Sequence, residues 1–257
     1  MAHKASIQLL RHATLVINIA GKKLLLDPML GEKDAFDPIP NAGNDMRIPM
    51  VDLPISKAEL EKLVDEVDAV FITHTHPDHW DPIAMQLIPK DKPLFCQVPD
   101  KQLLEGQGFT TVTPIADTIE WEGITIHRTG GEHGTGELAK LMGIVSGFVF
   151  EFEGQSIYVA GDTIWHPEVS KALDIYHPDM TVLNMGSAQF LQGDPITMSH
   201  KDLIKVHDYA PNTKIVAVHL DTVNHCLETR EVLSKILKEK GLEEVVTIPE
   251  DGEVVSL

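Results

Sequence analysis

Residues Phe71–Asp81 read FITHTHPDHWD, and the rest of the chain is best understood outward from them. The preceding apolar run, Ala69-Val70-Phe71-Ile72, has the pattern of a buried strand. It gives way to His74, His76, Asp78 and His79, with Pro77 between the second and third, so the segment is a rigid loop rather than a helix start. Pro82 then opens an amphipathic stretch, Ile83 to Ile88, with proline at the first helical position. Imidazole and carboxylate donors at the C-terminal end of a strand suit zinc, iron or manganese, and their tight spacing lets one loop serve two ions. A polar loop that merely caps a helix is the plainer alternative. Three His and an Asp within six residues is far from ordinary loop composition, which favours metal.

At 257 residues, 43% hydrophobic and 23% charged, the chain has the composition of a globular protein with a sizeable core. No apolar run approaches the ~18 residues that a membrane span needs. The opening MAHKASIQLLRHATL lacks the apolar centre of a signal peptide, so a cytoplasmic location is expected. The two cysteines, Cys96 and Cys226, make no disulfide framework and no zinc-finger spacing. A net charge of −18 argues against a nucleic-acid partner, which calls for a basic surface. It leaves room for a small anionic substrate, because metal ions can dominate the local field. Nothing in the pattern decides the oligomeric state, and a homo-oligomer stays open.

Three short apolar runs, Ser6–Leu10, Thr14–Ile19 and Lys23–Leu26, predict an N-terminal meander with a turn at Gly21-Lys22. His12 reads as a turn residue at a pocket rim. Asp27, before Pro28, either bonds the metal loop or makes a turn. Residues 29–56 hold four prolines and no periodicity, and a loop of that length is expected to cover part of a site. Within it Phe36, Asn41, Met46 and Arg47 are candidates for touching substrate, Arg47 as the anion binder. Ser56 with Glu59 forms a capping box for a helix to Val67. Strands are expected at 93–98, 109–115, 118–121, 124–129, 143–153, 156–160, 181–184 and 214–218. Helices are expected at 100–105, 167–175, 199–208 and 227–240, and short strands at 244–248 and 253–255 close the chain. The strand–helix alternation points to an α/β fold. GGEHGTG, Gly130–Gly136, reads as a loop in which backbone can approach a ligand. His127, inside a strand, reads as a packed or edge residue.

THTHPDH resembles the signature loop of the metallo-β-lactamase superfamily, His-x-His-x-Asp-His. LLRHATLVINIAGKKLLLDP is similar to the opening of the branch that includes ascorbate-6-phosphate lactonase-like and N-acyl-phosphatidylethanolamine phospholipase D-like proteins, with Arg11 where that branch has Gly. The resemblance extends over most of the chain. It implies a four-layer αββα sandwich of two mixed β-sheets flanked by helices, as one domain over residues 1–257. It also implies two divalent metal ions, zinc or manganese first, iron or nickel also compatible. His74, His76 and His133 would hold one, and Asp78, His79 and His219 the other. Asp162, in a Gly-Asp-Thr motif after a strand, would bridge them; a helix N-cap is its plainer reading.

KIVAVHLDTVNHC resembles the last motif of the family, with His219 at the strand end and His225 as rival ligand or proton-transfer residue. The loop at Gly186 matches a pocket loop of the family and is a candidate for substrate contact. Family members that reduce oxygen at a di-iron centre carry Glu where this chain has His76, which favours hydrolysis. The implied reaction is attack by a metal-bridging hydroxide on a small molecule, a lactone or a phosphorylated sugar. Asp78, His225 and His12 are the named catalytic candidates, the two histidines as proton donors to the leaving group. Phosphodiester hydrolysis is the alternative reaction, and a metal-binding protein without turnover the alternative class.

Overall fold

The computed structural model describes residues 4–257. β1 (Ser6–Arg11), β2 (Thr14–Ile19) and β3 (Lys22–Leu26) form the expected meander. Its second turn lies on Ala20 and Gly21, both left-handed (φ 55° and 72°), one residue before the expected pair. Two successive positive-φ residues match the twist of the flanking strands. α1 (Lys57–Glu66) is capped by Ser56, with Glu59 closing the capping box. β4 (Ala69–Ile72) leads through the His/Asp loop into α2 (Pro82–Leu87), capped by Asp81. β5 (Leu94–Gln97), α3 (Lys101–Gly106) and β6 (Val112–Ile115) finish the first half.

The second half starts with the hairpin β7 (Thr118–Trp121) and β8 (Ile124–Gly130), followed by α4 (Gly136–Met142). β9 (Ser146–Phe152), β10 (Gln155–Val159), α5 (Pro167–Tyr176), β11 (Met180–Asn184), α6 (His200–Tyr209) and β12 (Lys214–Val218) come next. α7 (Arg230–Lys240), β13 (Val246–Thr247) and β14 (Val254–Ser256) close the chain. Two differences from the sequence expectation stand out. α4 occupies a stretch after the Gly130–Gly136 loop for which no element was expected, and α7 begins at Arg230 rather than Leu227, because Thr229 caps it. Leu227 and Glu228 instead give their backbone N–H groups to the Gly186 carbonyl.

The strands make two seven-stranded sheets, β14-β1-β2-β3-β4-β5-β6 and β13-β12-β11-β10-β9-β8-β7. Each is antiparallel through its meander and parallel beyond it, so the two halves mirror one another in topology. The chain is an α/β protein, a four-layer αββα sandwich. β4 shows why its sequence is continuously apolar. Ala69 and Phe71 face the other sheet, where Phe71 stacks on Phe95 at 4.7 Å and meets Phe150 edge-on at 5.0 Å. Val70 and Ile72 face outward onto Leu60, Val64 and Ala84 of α1 and α2. A strand covered on both faces has no polar side to show, and a fully buried ring such as Phe71 stabilises by roughly 2–3 kcal/mol. On the far sheet, Tyr158, Leu183 and Ile215 pack under α5, α6 and α7.

The 29–56 segment is pinned at its base by Arg11. That side chain is fully buried and donates to the carbonyls of Met29, Gly31 and Val51. The residue standing where the resembled branch has Gly is therefore a clamp for this loop. The loop also docks on the segment after β12. Met29 and Ile48 pack on Val223, and Asn224 bonds the backbone of Ile39 and Asn44.

Candidate metal centre

Strand ends deliver every candidate ligand to one end of the sandwich. The loop after β4 brings His74, His76, Asp78 and His79; His133 follows β8, Asp162 follows β10 and His219 follows β12. The β1–β2 turn adds His12. This is the end of an α/β sheet at which the helices of the parallel connections leave a crevice.

Three sets of donor atoms converge, each within 4.8 Å: His74, His76 and His133; His12, Asp78, His79 and His219; and His74, His79 and Asp162. His74 Nε2 lies 3.0 Å from His76 Nδ1. Asp162 sits between the first two groups, its Oδ2 3.2 Å from His79 Nε2, 3.4 Å from His219 Nε2 and 3.6 Å from His133 Nε2. Asp78 Oδ2 is 3.8 Å from both His79 Nε2 and His219 Nε2. Ligands held at ~2.0–2.1 Å around a tetrahedral ion stand roughly 3.3 Å from one another, and these separations bracket that value. His79 Nε2 and His219 Nε2 are buried without an aligned hydrogen bond. Bare polar atoms in that position are costly unless something takes up their lone pairs. The residues fit divalent metal.

Outer contacts decide which ring nitrogen faces the cluster. Asp27 is fully buried, and its Oδ2 accepts from His79 Nδ1 at 2.9 Å and from Thr73 Oγ1 at 2.7 Å. Its Oδ1 accepts from the Thr73 backbone N–H at 2.8 Å. With its proton committed to Asp27, the Thr73 hydroxyl accepts from His74 Nδ1 at 3.0 Å. His133 Nδ1 donates to the Ile196 carbonyl at 2.7 Å. In all three rings Nε2 is left bare toward the cluster, the arrangement that ligating imidazoles need. Asn184, at the tip of β11, donates to Asp162 Oδ1 at 2.7 Å and leaves Oδ2 to the centre. His219 Nδ1 faces Cys226 Sγ at 3.6 Å.

The electrostatics agree. Burial pushes His133 down to about 4 and His12 down to about 3, and holds His74 well below the usual imidazole value, so these rings are neutral at pH 7. Burial works downward on His219 too, yet the Asp162 carboxylate overrides it and raises the ring to about 10. That end of the cluster calls for positive charge, which a cation would supply.

His74, His76, Asp78, His79, His133, Asp162 and His219 are thus brought together. His12 is a correction: it is fully buried beside Asp78, not a rim residue, because the β1–β2 turn points into the cleft between the sheets. His225 is buried against Phe190, ring centroids 5.7 Å apart, and lies outside the three donor groups. Arg47 is exposed and tied within its own loop, paired with Asp37 and donating to the carbonyls of Asp34 and Ala35, so it presents no free guanidinium to an anion. Gly186 is buried at a closely packed position. It is left-handed (φ 90°), and a Cβ there would stand 2.7 Å from Cys226 Sγ and 2.8 Å from the His219 carbonyl. His127 is held in the sheet by Thr118 and Glu151, as expected. Sequence reasoning missed Thr73, Asn184 and Cys226; the first two adjoin strand ends, which was the available signal.

A family model, the beta-lactamase superfamily domain, matches residues 24–220. The chain belongs to that superfamily. A crystal structure of a possible metal-dependent hydrolase from Veillonella parvula DSM 2008 superposes with TM-score 0.95 at 40% identity, covering 99% of this chain and 100% of that one. An isothiocyanate hydrolase from Delia radicum gut bacteria superposes with TM-score 0.93 at 39% identity, covering 98% and 99%. UPF0173 protein YddR of Bacillus subtilis (strain 168) is 39% identical over 252 residues, 96% of this chain and 98% of its own length. This superfamily member is a metal-dependent hydrolase. No helix among its described residues is long and apolar enough to cross a membrane.

Proposed function

We propose that the chain is a binuclear hydrolase acting on a small neutral molecule with an electrophilic carbon, and that isothiocyanates are the substrate class. His74, His76 and His133 would hold one cation and Asp78, His79 and His219 the other, with Asp162 reaching toward both; zinc or manganese would suit these donors. When bound, the two cations supply Lewis acidity and a water made nucleophilic near neutral pH.

The observation that carries the substrate class is the wall of the mouth. A cavity of about 270 Å³ has His74 and His76 in its lining, together with Gln97, Pro99, Met142 and Ile144. Met142 also lines a second cavity, of about 560 Å³, with Leu138, Leu141, Phe190 and Leu191. Neither wall contains Lys or Arg. A phosphorylated sugar would bring its charge to a rim that offers no cation, on a chain of net charge −18. An apolar tail on a neutral head suits the same rim, and the isothiocyanate hydrolase relative lends the head group.

His225 stands where Phe190 joins the apolar wall to the cluster. Burial lowers its pKa, and its Nδ1 has no partner among the described residues, so it enters the reaction neutral, first as a proton acceptor and then as the proton donor expected from sequence. It takes the proton of the attacking water and returns it to the substrate nitrogen. The water oxygen bonds to the central carbon while the C=N electrons collect on nitrogen. The resulting thiocarbamate passes its hydroxyl proton to the nitrogen as its C–N bond breaks, giving an amine and carbonyl sulfide. A lactone offers a similar carbon, and the amides of Asn41 and Gln192 in the second wall give its hydroxyls partners, so it is the second reading.

Zinc- or manganese-loaded protein should be offered phenethyl isothiocyanate, a simple lactone and an activated phosphodiester side by side. Amine release from the first is expected, and His76→Ala should reduce it by more than ~100-fold, beyond the effect of losing an outer contact. Lactone turnover without amine release would promote the second reading. Phosphodiester turnover alone would overturn both.

A further inference from the structure

We propose that His12 is a positioning residue that sets Asp78 and His219 for the second cation; the proposal rests on the binuclear reading above. Its ring is fully buried, with Nε2 3.1 Å from Asp78 Oδ2 and Nδ1 without a partner among the described residues. Those two facts fix the tautomer. A proton on Nδ1 would bury an unpaired donor, at a cost of about 1–3 kcal/mol, and would set the Nε2 lone pair against the carboxylate. The proton therefore sits on Nε2 and is donated to Asp78 Oδ2.

Two further contacts join the same residue to His219. The rings lie face to face at a tilt, centroids 3.7 Å apart and 36° between planes. The His219 backbone N–H donates to the His12 carbonyl at 2.9 Å. His12 follows a strand of one sheet and His219 a strand of the other, so one residue joins the two halves of the second site. Both residues are left-handed, φ 60° and 67°. Non-glycine residues adopt that backbone only where surrounding contacts enforce it, and such residues gather at functional sites.

The rival role is that His12 is itself a ligand, since its donor atom lies within 4.8 Å of those of Asp78, His79 and His219. A ligand would need Nε2 bare and an unpaired N–H at Nδ1, which the surroundings disfavour.

Wild-type protein titrated with zinc against a competing chelator tests the centre itself: two ions per chain are expected, and fewer would sink the binuclear reading and this proposal with it. The His12 variants, measured against that wild type, test His12 alone. His12→Ala should weaken one of the two ions ~10–100-fold and shift the visible bands of one cobalt in the cobalt-substituted protein. His12→Gln, whose side-chain N–H can still reach Asp78, should recover most of the affinity, and it serves as the test if the Ala variant fails to fold. Two zinc ions bound by His12→Ala as tightly as by wild type would overturn the role. So would a folded His12→Gln that binds no better than the Ala variant, because only a ligating imidazole is irreplaceable by an amide donor.

Discussion

Asp27→Asn changes no atom that would touch metal, yet it should weaken metal binding at both groups of ligands. The carboxylate accepts three hydrogen bonds, from the Thr73 N–H, the Thr73 hydroxyl and His79 Nδ1. An asparagine of the same shape has one acceptor atom. If its oxygen keeps the Thr73 N–H, its NH₂ meets the His79 Nδ1–H donor to donor. The clash is relieved by moving the His79 proton to Nε2, the nitrogen that should be bare. If the amide turns over, the Thr73 N–H is left buried and unpaired instead. Thr73 passes the disturbance on to His74 through its hydroxyl.

A hydrogen bond to a charged acceptor contributes about 1.5–3 kcal/mol, which converts to roughly 10–150-fold in affinity and agrees with the 10–100-fold typical of such outer partners. The assay is zinc competition against a chromophoric chelator, with a urea titration of the metal-free proteins to separate lost affinity from lost stability. Zinc bound by the Asp27→Asn variant at wild-type affinity would refute the claim that Asp27 sets these tautomers.

Gly186→Ala should lower stability by about 2–5 kcal/mol. Left-handed backbone costs a non-glycine residue about 1–2 kcal/mol and overpacking about 1–3 kcal/mol, and the new Cβ meets both Cys226 Sγ and the His219 carbonyl. A urea midpoint unchanged from wild type would show that Gly186 is not packed as described. For metal-free protein, stability should fall as pH drops from 6.5 toward 4. His133 and His12 stay neutral in the fold down to about 4 and about 3, while unfolded imidazoles take up protons below about 6.5, so the unfolded state binds more protons in that window. Each group contributes a slope of at most ~1.4 kcal/mol per pH unit, and a urea midpoint flat between pH 6.5 and 4.5 would contradict it.

Much of the centre was legible from the text. The run Ala69–Ile72 followed by THTHPDH announces a strand and its loop of donors. The resembled motif places its ligands directly after strands, which favoured His133 over His127 and His219 over His225, and the fold brings His133 and His219 into the donor groups. The fourteen strands of the described residues fall close to their expected places because local alternation and turn residues encode them. α4 was not legible: the glycines before, within and after it look like loop, and a seven-residue helix of that kind depends on tertiary packing more than on propensity.

The surroundings of Arg47 and Gly186 were not legible, for a common reason. Sequence names the side chain and the loop, but not where the loop turns. Arg47 folds back onto its own carbonyls, and Gly186 is held by Cys226 and the His219 carbonyl.

The candidate donors thus belong to the sequence, since each is a donor side chain at a strand end that the motif marks. The state of each ligand belongs to the tertiary structure. Asp27 meets His79 across 52 residues, and His12 meets Asp78 across 66. Such pairs exist only after the parallel strands align and the two sheets close on each other. Tautomer and charge follow from burial and from partners brought in over those distances, and neither is a property of the residues in order along a chain.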